Sequence, residues 1–253
     1  GAKFVTKLWN VARFAHRFIQ DGCPYETEAE FTPTDRWMLS KTQSLIVHAT
    51  DRYLQYDYAG ARQAAEVFLW TELADNYIEL VKQRLYNGGD QASSGARFGL
   101  YVSLQALIKI LAPVLPYITE AIYQALYCLQ PGQQSIHNSA WPEGNPDWQD
   151  LTAEKQGQRL IDITTAVRRY KSERSLSLAT DLECLYLVCQ SKDLRSVLEE
   201  ASSDLSSSTR AGAIELVDQV PDGVDTLTND EDLVVAITRP EIGDPTETDK
   251  HIR

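Results

Sequence analysis

Apolar side chains recur every three or four positions over most of residues 2–171, and this helical period constrains the fold more than any other feature of the sequence. The pattern changes after position 180. Leu182–Cys189 is an almost continuous apolar run, which is typical of a strand buried on both faces. We therefore predict a mainly α protein, with a helical bundle over residues 1–175 and a small α+β part with an acidic tail over residues 176–253.

Local signals divide the helical part. Gly22 and Pro24 close the first helix, the Asn87-Gly-Gly sequence ends the third, and Pro113 and Pro116 interrupt the fourth. The predicted helices are Ala2–Gln20, Asp35 to about Tyr53 with Asp35 as the N-cap, about Tyr58 to Tyr86, one starting at Ser93 or Ser94, one from near Thr119 to about Cys128, and Thr152–Lys171.

The remaining segments carry turn or strand signals. A connection rich in Pro, Gly and Asn precedes the last long helix, and we expect a loose tail at the C-terminus. The α+β part should contain three strands in the order β-α-β-β. These segments are the connection Gln130–Trp148, the strands Leu182–Cys189, Ile214–Val220 and Leu233–Thr238, the helix Asp193–Leu205, and the tail from about Pro240.

The net charge of −12 argues against nucleic-acid binding, but the charge is distributed unevenly. Ala2–Gln20 carries the cations Lys3, Lys7, Arg13 and Arg17 and no acid, and residues 168–174 carry four cations and one acid. A local basic surface on an acidic body still attracts phosphates, because the nearby field decides the contact. The charge distribution therefore does not exclude a nucleic acid as a partner.

The four cysteines form neither a CxxC pair nor a zinc spacing with histidine, so we expect reduced thiols in a cytoplasmic protein. No apolar run reaches the roughly 18 residues of a membrane span, so no membrane partner is expected.

Phe14 is the residue of the first helix that departs from its amphipathic pattern. At about 100° per residue, one arc collects the apolar side chains and the opposite arc collects Lys3, Lys7, Asn10, Arg13 and Arg17. Phe14 falls on the polar arc. Two roles fit this position: the ring stacks on an unpaired base while the cations hold phosphates, or the ring packs under a neighbouring helix. Trp9 lies off the centre of the apolar arc, and we expect a structural role for it.

The second basic segment also has two interpretations. At helical spacing, Arg168 and Lys171 lie near one another, and so do Lys171 and Arg174. With Arg169 these cations form either a solvated helix end that favours the helix dipole or a second phosphate contact.

Six segments, in order, resemble one family. Lys7-Leu-Trp-Asn-Val-Ala-Arg-Phe14 is similar to the helix that follows the catalytic half of valyl-tRNA synthetases. Leu111-Ala-Pro-Val-Leu-Pro-Tyr-Ile-Thr-Glu120 is similar to the proline-broken segment shared by the synthetases for valine, isoleucine and leucine. The other matches are Asp35-Arg-Trp37, Asp75-Asn-Tyr-Ile-Glu79, Ser135-Ile-His137 leading to Trp141-Pro-Glu143, and Arg168-Arg-Tyr-Lys-Ser-Glu173, the last of which resembles archaeal-type enzymes.

The resemblance covers about residues 1–175 and implies the anticodon-binding part of a class I synthetase, which holds the anticodon stem-loop of tRNA(Val). Valine anticodons share a central adenine and a third cytosine. By residue match, Phe14 would stack on an anticodon base, Lys7 and Arg13 would contact base edges or phosphates, and Asn10 could pair with a base edge. Lys3 and Arg17 would add cations to the same surface.

The family's nucleotide-binding signatures, His-Ile-Gly-His and Lys-Met-Ser-Lys-Ser, are absent, and the four histidines are too scattered for a metal or catalytic set. We therefore expect no catalytic residue, metal or cofactor here. ATP and magnesium would belong to the catalytic half of the same chain, which is the second expected partner. Three alternatives stay open: the same domain of an isoleucyl or leucyl enzyme, a helical protein-interaction module, and a free-standing enzyme.

Overall fold

The computed structural model of the chain describes residues 2–20, 29–128, 134–230 and 232–238. The first part is helical: α1 (Ala2–Ile19), α2 (Pro33–Leu54), α3 (Tyr58–Val67), α4 (Ile78–Asn87), α5 (Gly89–Leu111), α6 (Pro116–Leu126) and α7 (Leu151–Glu173). A π-helical segment, Phe68–Tyr77, joins α3 to α4, and short 3₁₀ turns occupy Ile136–Asn138 and Pro146–Trp148. The prediction of a mainly α fold with a small α+β part is confirmed.

The second part contains β1 (Leu182–Val188), α8 (Lys192–Glu200), α9 (Ser202–Thr209), β2 (Ala211–Val217), β3 (Asp225–Asn229) and β4 (Val234–Ile237). The strand order is β2-β1-β4-β3, with β1 parallel to β2 and antiparallel to β4, and β3 antiparallel to β4. The strand predicted from the apolar run is therefore a central strand.

The predicted element limits need four corrections. Thr32, not Asp35, is the N-cap of α2; Asp35 is the N3 residue of a capping box, and its carboxylate accepts from the Thr32 N–H at 3.0 Å. The fourth helix begins at Gly89, not at Ser93 or Ser94, because Gly89 takes the left-handed backbone (φ 64°) that lets α5 follow α4 directly. The helix predicted over Asp193–Leu205 is two helices, α8 and α9.

The fourth correction concerns the sheet, which has four strands in the described residues rather than three. The missed strand, β3, has the sequence Asp-Thr-Leu-Thr-Asn, which carries few apolar residues because the strand lies at an edge of the sheet. As part of the same correction, the strand predicted at Ile214–Val220 runs over Ala211–Val217. Cys23 and the predicted tail from Pro240 lie outside the described residues; Cys184 and Cys189 are buried and Cys128 is half-buried, all three as free thiols.

Two apolar clusters fill the interior. The first cluster joins α1 and α2 to α5, α6 and the continuous helical stretch from α3 through the π-helical segment to α4. The second cluster joins Leu80 of α4 and the inner face of α7 to the sheet, α8 and α9. Close approach of α7 to α2 depends on Gly157, since a Cβ at that position would lie 2.2 Å from the Trp37 ring. The division at residue 175 stays a prediction, and the second cluster packs side chains from both sides of it.

Candidate nucleic-acid interface

The apolar arc predicted for α1 is the face that the helix buries, and this burial fixes the position of the polar arc. The buried residues are Phe4, Leu8, Val11, Ala12, Ala15 and Ile19. At the C-terminal end of α1, Arg97 Nε donates to the Phe18 carbonyl at 2.9 Å. Lys3, Asn10 and Arg13 are exposed, and none of them has a hydrogen-bond or ion-pair partner among the described residues. Their polar groups are therefore open to a ligand.

Phe14 lies between its two predicted roles. The ring is half-buried and packs against the first core cluster. Its centroid lies 5.1 Å from that of Phe18 and 6.2 Å from that of Tyr86, and the Phe18 and Tyr86 centroids are 5.0 Å apart. We call Phe14, Phe18 and Tyr86 the aromatic cluster. Because Phe14 is only partly covered, one part of its ring supports the helix and another part stays open.

Tyr86 is a member of the candidate site that the sequence analysis missed. It lies at the end of α4, its side chain is 49% exposed, and its hydroxyl accepts from Arg17 Nη1 at 3.1 Å. One signal was available: Tyr86 departs from the apolar stripe of its helix, as Phe14 does in α1. Trp9 is 41% exposed, and the structural role expected for it stays a prediction.

Lys7 and Arg168 belong to the two basic segments of the sequence, and they meet at one residue, Asp75. Lys7 Nζ lies 2.9 Å from Asp75 Oδ1 and 4.9 Å from the centroid of the Trp70 ring. Arg168 Nη2 donates to the Asp75 carbonyl at 3.1 Å. Asp75 lies in the π-helical segment, a kind of segment that is frequent at functional sites. The fold therefore brings the two basic segments together on one surface.

The other cations of the second segment do not join this surface in the same way. Arg169 is exposed and pairs with Glu173 at 2.7 Å, while Arg174 pairs with Asp225 at 2.6 Å and lies over the Tyr170 ring. Lys171 is buried, and its Nζ donates to the carbonyls of Thr209 (2.9 Å), Thr180 (2.7 Å) and Leu178 (3.2 Å). Burial lowers the pKa of Lys171.

The expectation of a phosphate contact for Lys171 is therefore corrected: its three N–H groups are committed to backbone carbonyls and it does not reach solvent. Lys7 and Arg168 also line a groove of about 1160 Å³, together with Asp75, Tyr86 and Asn87. A groove edged by cations and an open aromatic ring offers a nucleic acid both contacts it uses, charge for phosphates and a flat surface for a base.

Among the described residues, no helix combines the length and apolarity needed to cross a bilayer. Within the same ranges, no three His, Cys, Asp or Glu side chains come together as a metal site requires.

Comparison with known proteins supports the same assignment. Residues 35–186 match the family model described as the anticodon-binding domain of tRNA ligase. The chain is 38% identical over 221 residues to "Valine--tRNA ligase" of Methanopyrus kandleri, a match that covers 85% of this chain and 24% of the relative. It is 33% identical to the protein of the same name from Thermococcus kodakarensis, over 87% of this chain and 24% of the relative.

A bacterial relative, "Valine--tRNA ligase" of Wolbachia pipientis wMel, is 34% identical over 85% of this chain and 24% of its own length. The chain thus spans about a quarter of the length of the curated relatives it matches. The resemblance to valyl-tRNA synthetases seen in the sequence is confirmed by these matches. Since the family model covers more than half of the chain, the protein belongs to the family of anticodon-binding domains of tRNA ligases.

Proposed function

We propose that this chain binds the anticodon stem-loop of tRNA(Val) as part of a valine–tRNA ligase. The observation that carries the proposal is the meeting of Lys7 and Arg168 at Asp75, beside the aromatic cluster. Two basic segments far apart in the sequence form one surface, although the net charge of the chain is −12. Such a local basic surface is the electrostatic footprint of nucleic-acid binding.

The residues of the surface have distinct proposed roles. Phe14 and Tyr86 provide the stacking surface for an unpaired anticodon base, because a π face accepts any base. Lys7 and Arg13 contact phosphates or base edges, with Lys3 and Arg17 as further cations. Asn10 reads a base edge, since its amide both donates and accepts. In the second segment, Arg168 is the proposed phosphate contact. Arg169 and Arg174, which are exposed and paired with Glu173 and Asp225, are further candidates.

Because these side chains are held in fixed positions, the surface can discriminate between anticodons. Six buried residues hold α1 in the bundle, so the cations and the aromatic cluster are presented without a folding cost on binding. The valine-ligating chemistry belongs to the remaining three quarters of the relatives' length. There ATP and magnesium would supply the activation of valine, and the catalytic half is the intramolecular partner of this domain.

The experiment is a titration of the chain with tRNA transcripts at fixed salt. The transcripts carry a valine anticodon, the same anticodon with its central adenine replaced by uracil, or an isoleucine anticodon. Tighter binding of the first transcript supports the proposal, and equal affinity for all three would contradict it. Tightest binding of the isoleucine transcript would favour an isoleucyl enzyme, and no binding would favour a protein-interaction module.

A second measurement tests the aromatic cluster. Phe14→Ala and Tyr86→Ala should each weaken binding by about 1–3 kcal/mol, as loss of one stacked base does, with an unchanged salt dependence. Trp9→Ala is the matched control, because Trp9 is 41% exposed, close to the 49% of Tyr86, and lies on the other flank of the helix that carries Phe14. Phe14→Ala also loses part of its packing, so affinity is compared per folded molecule, well below the melting temperature. If all three variants bind equally, neither Phe14 nor Tyr86 stacks on a base.

A further inference from the structure

The groove beside Lys7 has a second wall, which comes from the α+β part. Its residues belong to the last turn of α9 and the start of β2, Ser206 to Gly212. Across the groove lie Lys82 of α4 and Arg168 of α7. The groove thus runs from Tyr86, one member of the aromatic cluster, to the space between the bundle and the α+β part.

This wall is held firmly in place. Arg84 of α4 donates to Asp204 of α9 at 2.7 Å in a buried ion pair, and Lys171 donates to the Thr209 carbonyl at 2.9 Å. Arg210 ends α9 with a left-handed backbone (φ 60°), and its Nε donates to Asp181 at 2.8 Å. The cation at the end of the wall is therefore anchored on a fixed backbone while its side chain remains exposed.

The lining is suited to a chain of phosphates. The cations Lys7, Lys82, Arg168 and Arg210 outnumber the acids Asp75, Glu79 and Asp181, in a protein that is strongly acidic overall. The Ser207 hydroxyl is half-buried in the lining and has no hydrogen-bond partner among the described residues. Hydroxyls interspersed with cations are the groups that contact phosphate and ribose oxygens in protein–nucleic acid complexes.

The acids in the lining do not prevent this use. The Arg210–Asp181 and Lys82–Glu79 pairs are solvent-exposed, and such pairs stabilise a protein little. A phosphate therefore displaces the carboxylate at small cost. By competing for the same cations, the carboxylates lower the affinity of the groove for phosphates.

We infer that this groove binds the ribose-phosphate backbone of the arm that carries the anticodon, and that the α+β part serves as its second wall. This inference rests on the proposed function, because the anticodon loop at the aromatic cluster is what brings the arm into the groove. The ligand class is a polyanionic RNA backbone, read without base specificity.

The experiment measures tRNA affinity against salt for Arg210→Asn and Lys82→Ala. Asparagine tolerates the left-handed backbone of position 210, and position 82 lies in an ordinary helix, so at least one variant keeps the fold. Each variant should reduce the slope of log K against log salt by about 0.7–0.9, the value for one phosphate contact. Both should weaken binding to every transcript by the same factor, leaving anticodon discrimination intact.

Arg62→Ala is the matched control. The Arg62 side chain is 50% exposed, against 49% for Arg210, and pairs with Glu66 at 2.7 Å, but it lies outside the groove. Asp181→Asn should strengthen binding because it removes a competing carboxylate, whereas Glu66→Gln should leave binding unchanged.

The results separate the two proposals. If the wild-type chain fails to bind tRNA, the proposed function falls. If it binds with anticodon discrimination but Arg210→Asn and Lys82→Ala match Arg62→Ala, the groove inference is overturned and the proposed function stands. A reduced slope for the groove variants alone, with a gain for Asp181→Asn, supports the inference.

Discussion

Two ion-paired clusters in this molecule have nearly the same geometry and opposite surroundings. In the interior, Arg84 Nη2 lies 2.9 Å from Asp35 Oδ1, and Arg84 Nε lies 2.7 Å from Asp204 Oδ1. At the surface, Lys7 Nζ lies 2.9 Å from Asp75 Oδ1. The Asp35 carboxylate is fully buried, whereas the Asp75 side chain is 58% exposed. Distances alone therefore do not separate a structural cation from one that is available to a ligand.

The interior cluster is saturated with partners. Arg84 donates to both carboxylates, to the Thr32 hydroxyl and to the Ala92 carbonyl, and the Tyr77 hydroxyl donates to Asp35 at 3.0 Å. Burial would lower the pKa of Arg84, but Asp35 and Asp204 raise it overall, so the guanidinium stays charged. Burial raises the pKa of Asp204, and Arg84 opposes that shift. The cluster joins α2, α4 and α9, and so fixes the α+β part on the bundle.

If burial separates the two clusters, the largest loss of unfolding free energy is expected from a substitution of Arg84. Arg84→Met removes the cation and leaves two buried carboxylates without it, a change that typically destabilises a protein by about 3–5 kcal/mol. Urea unfolding measures the loss. Arg36→Met is the control, since the exposed Arg36–Glu200 pair at 2.8 Å should contribute less than about 1 kcal/mol. Equal losses in the two variants would show that burial does not distinguish these pairs.

Lys171 should give the next largest effect, because it is a buried cation in a segment whose other cations reach the surface. Lys171→Met keeps the length of the side chain but leaves three backbone carbonyls without their donor. We expect a loss of about 2–3 kcal/mol in unfolding free energy. Arg169→Met, on the same helix and exposed, should leave the unfolding midpoint unchanged. An unchanged midpoint for Lys171→Met as well would show that water replaces its ammonium.

Much of the fold followed from periodicity and turn chemistry. The α1 stripe, the glycines after Asn87, and Pro113 and Pro116 each gave an element limit close to the observed one. The edge strand β3 had no apolar run, and the π-helical segment shares its side-chain pattern with an ordinary helix. Both depend on tertiary contacts that a single local pattern does not encode.

The candidate site divides in the same way. A helical wheel placed Lys3, Lys7, Asn10, Arg13 and Arg17 on one face, because only α1 itself was needed. The approach of Arg168 to Lys7 required the packing of α7 beside the π-helical segment, and Tyr86 joined Phe14 by the same kind of long-range packing. Lys171 differs from Arg168 for a related reason. It lies three positions further along α7, where the α+β part packs against the helix and buries its side chain. The sequence predicted the residue types of the candidate site, whereas tertiary packing determines which of these cations are exposed.

The smallest effect on stability, and the sharpest test of the surface cluster, is expected at Asp75. Asp75→Asn keeps the shape of the side chain and the backbone carbonyl to which Arg168 donates, but removes the charge facing Lys7. Because the pair is exposed, the unfolding free energy should change by less than about 1 kcal/mol.

Binding of tRNA to the Asp75→Asn variant should instead become tighter. A unit charge about 5 Å from a phosphate is worth about 0.8 kcal/mol in a water-like medium, or roughly a fourfold gain at low salt. The gain should shrink as salt rises, since screening acts on exposed charges. Titrations of Asp75→Asn and Lys7→Ala at two salt concentrations, beside Glu66→Gln as the distant control, give the measurement. Weaker binding by Asp75→Asn would mean that Asp75 positions Lys7 for the ligand, which would make this surface pair resemble the interior one.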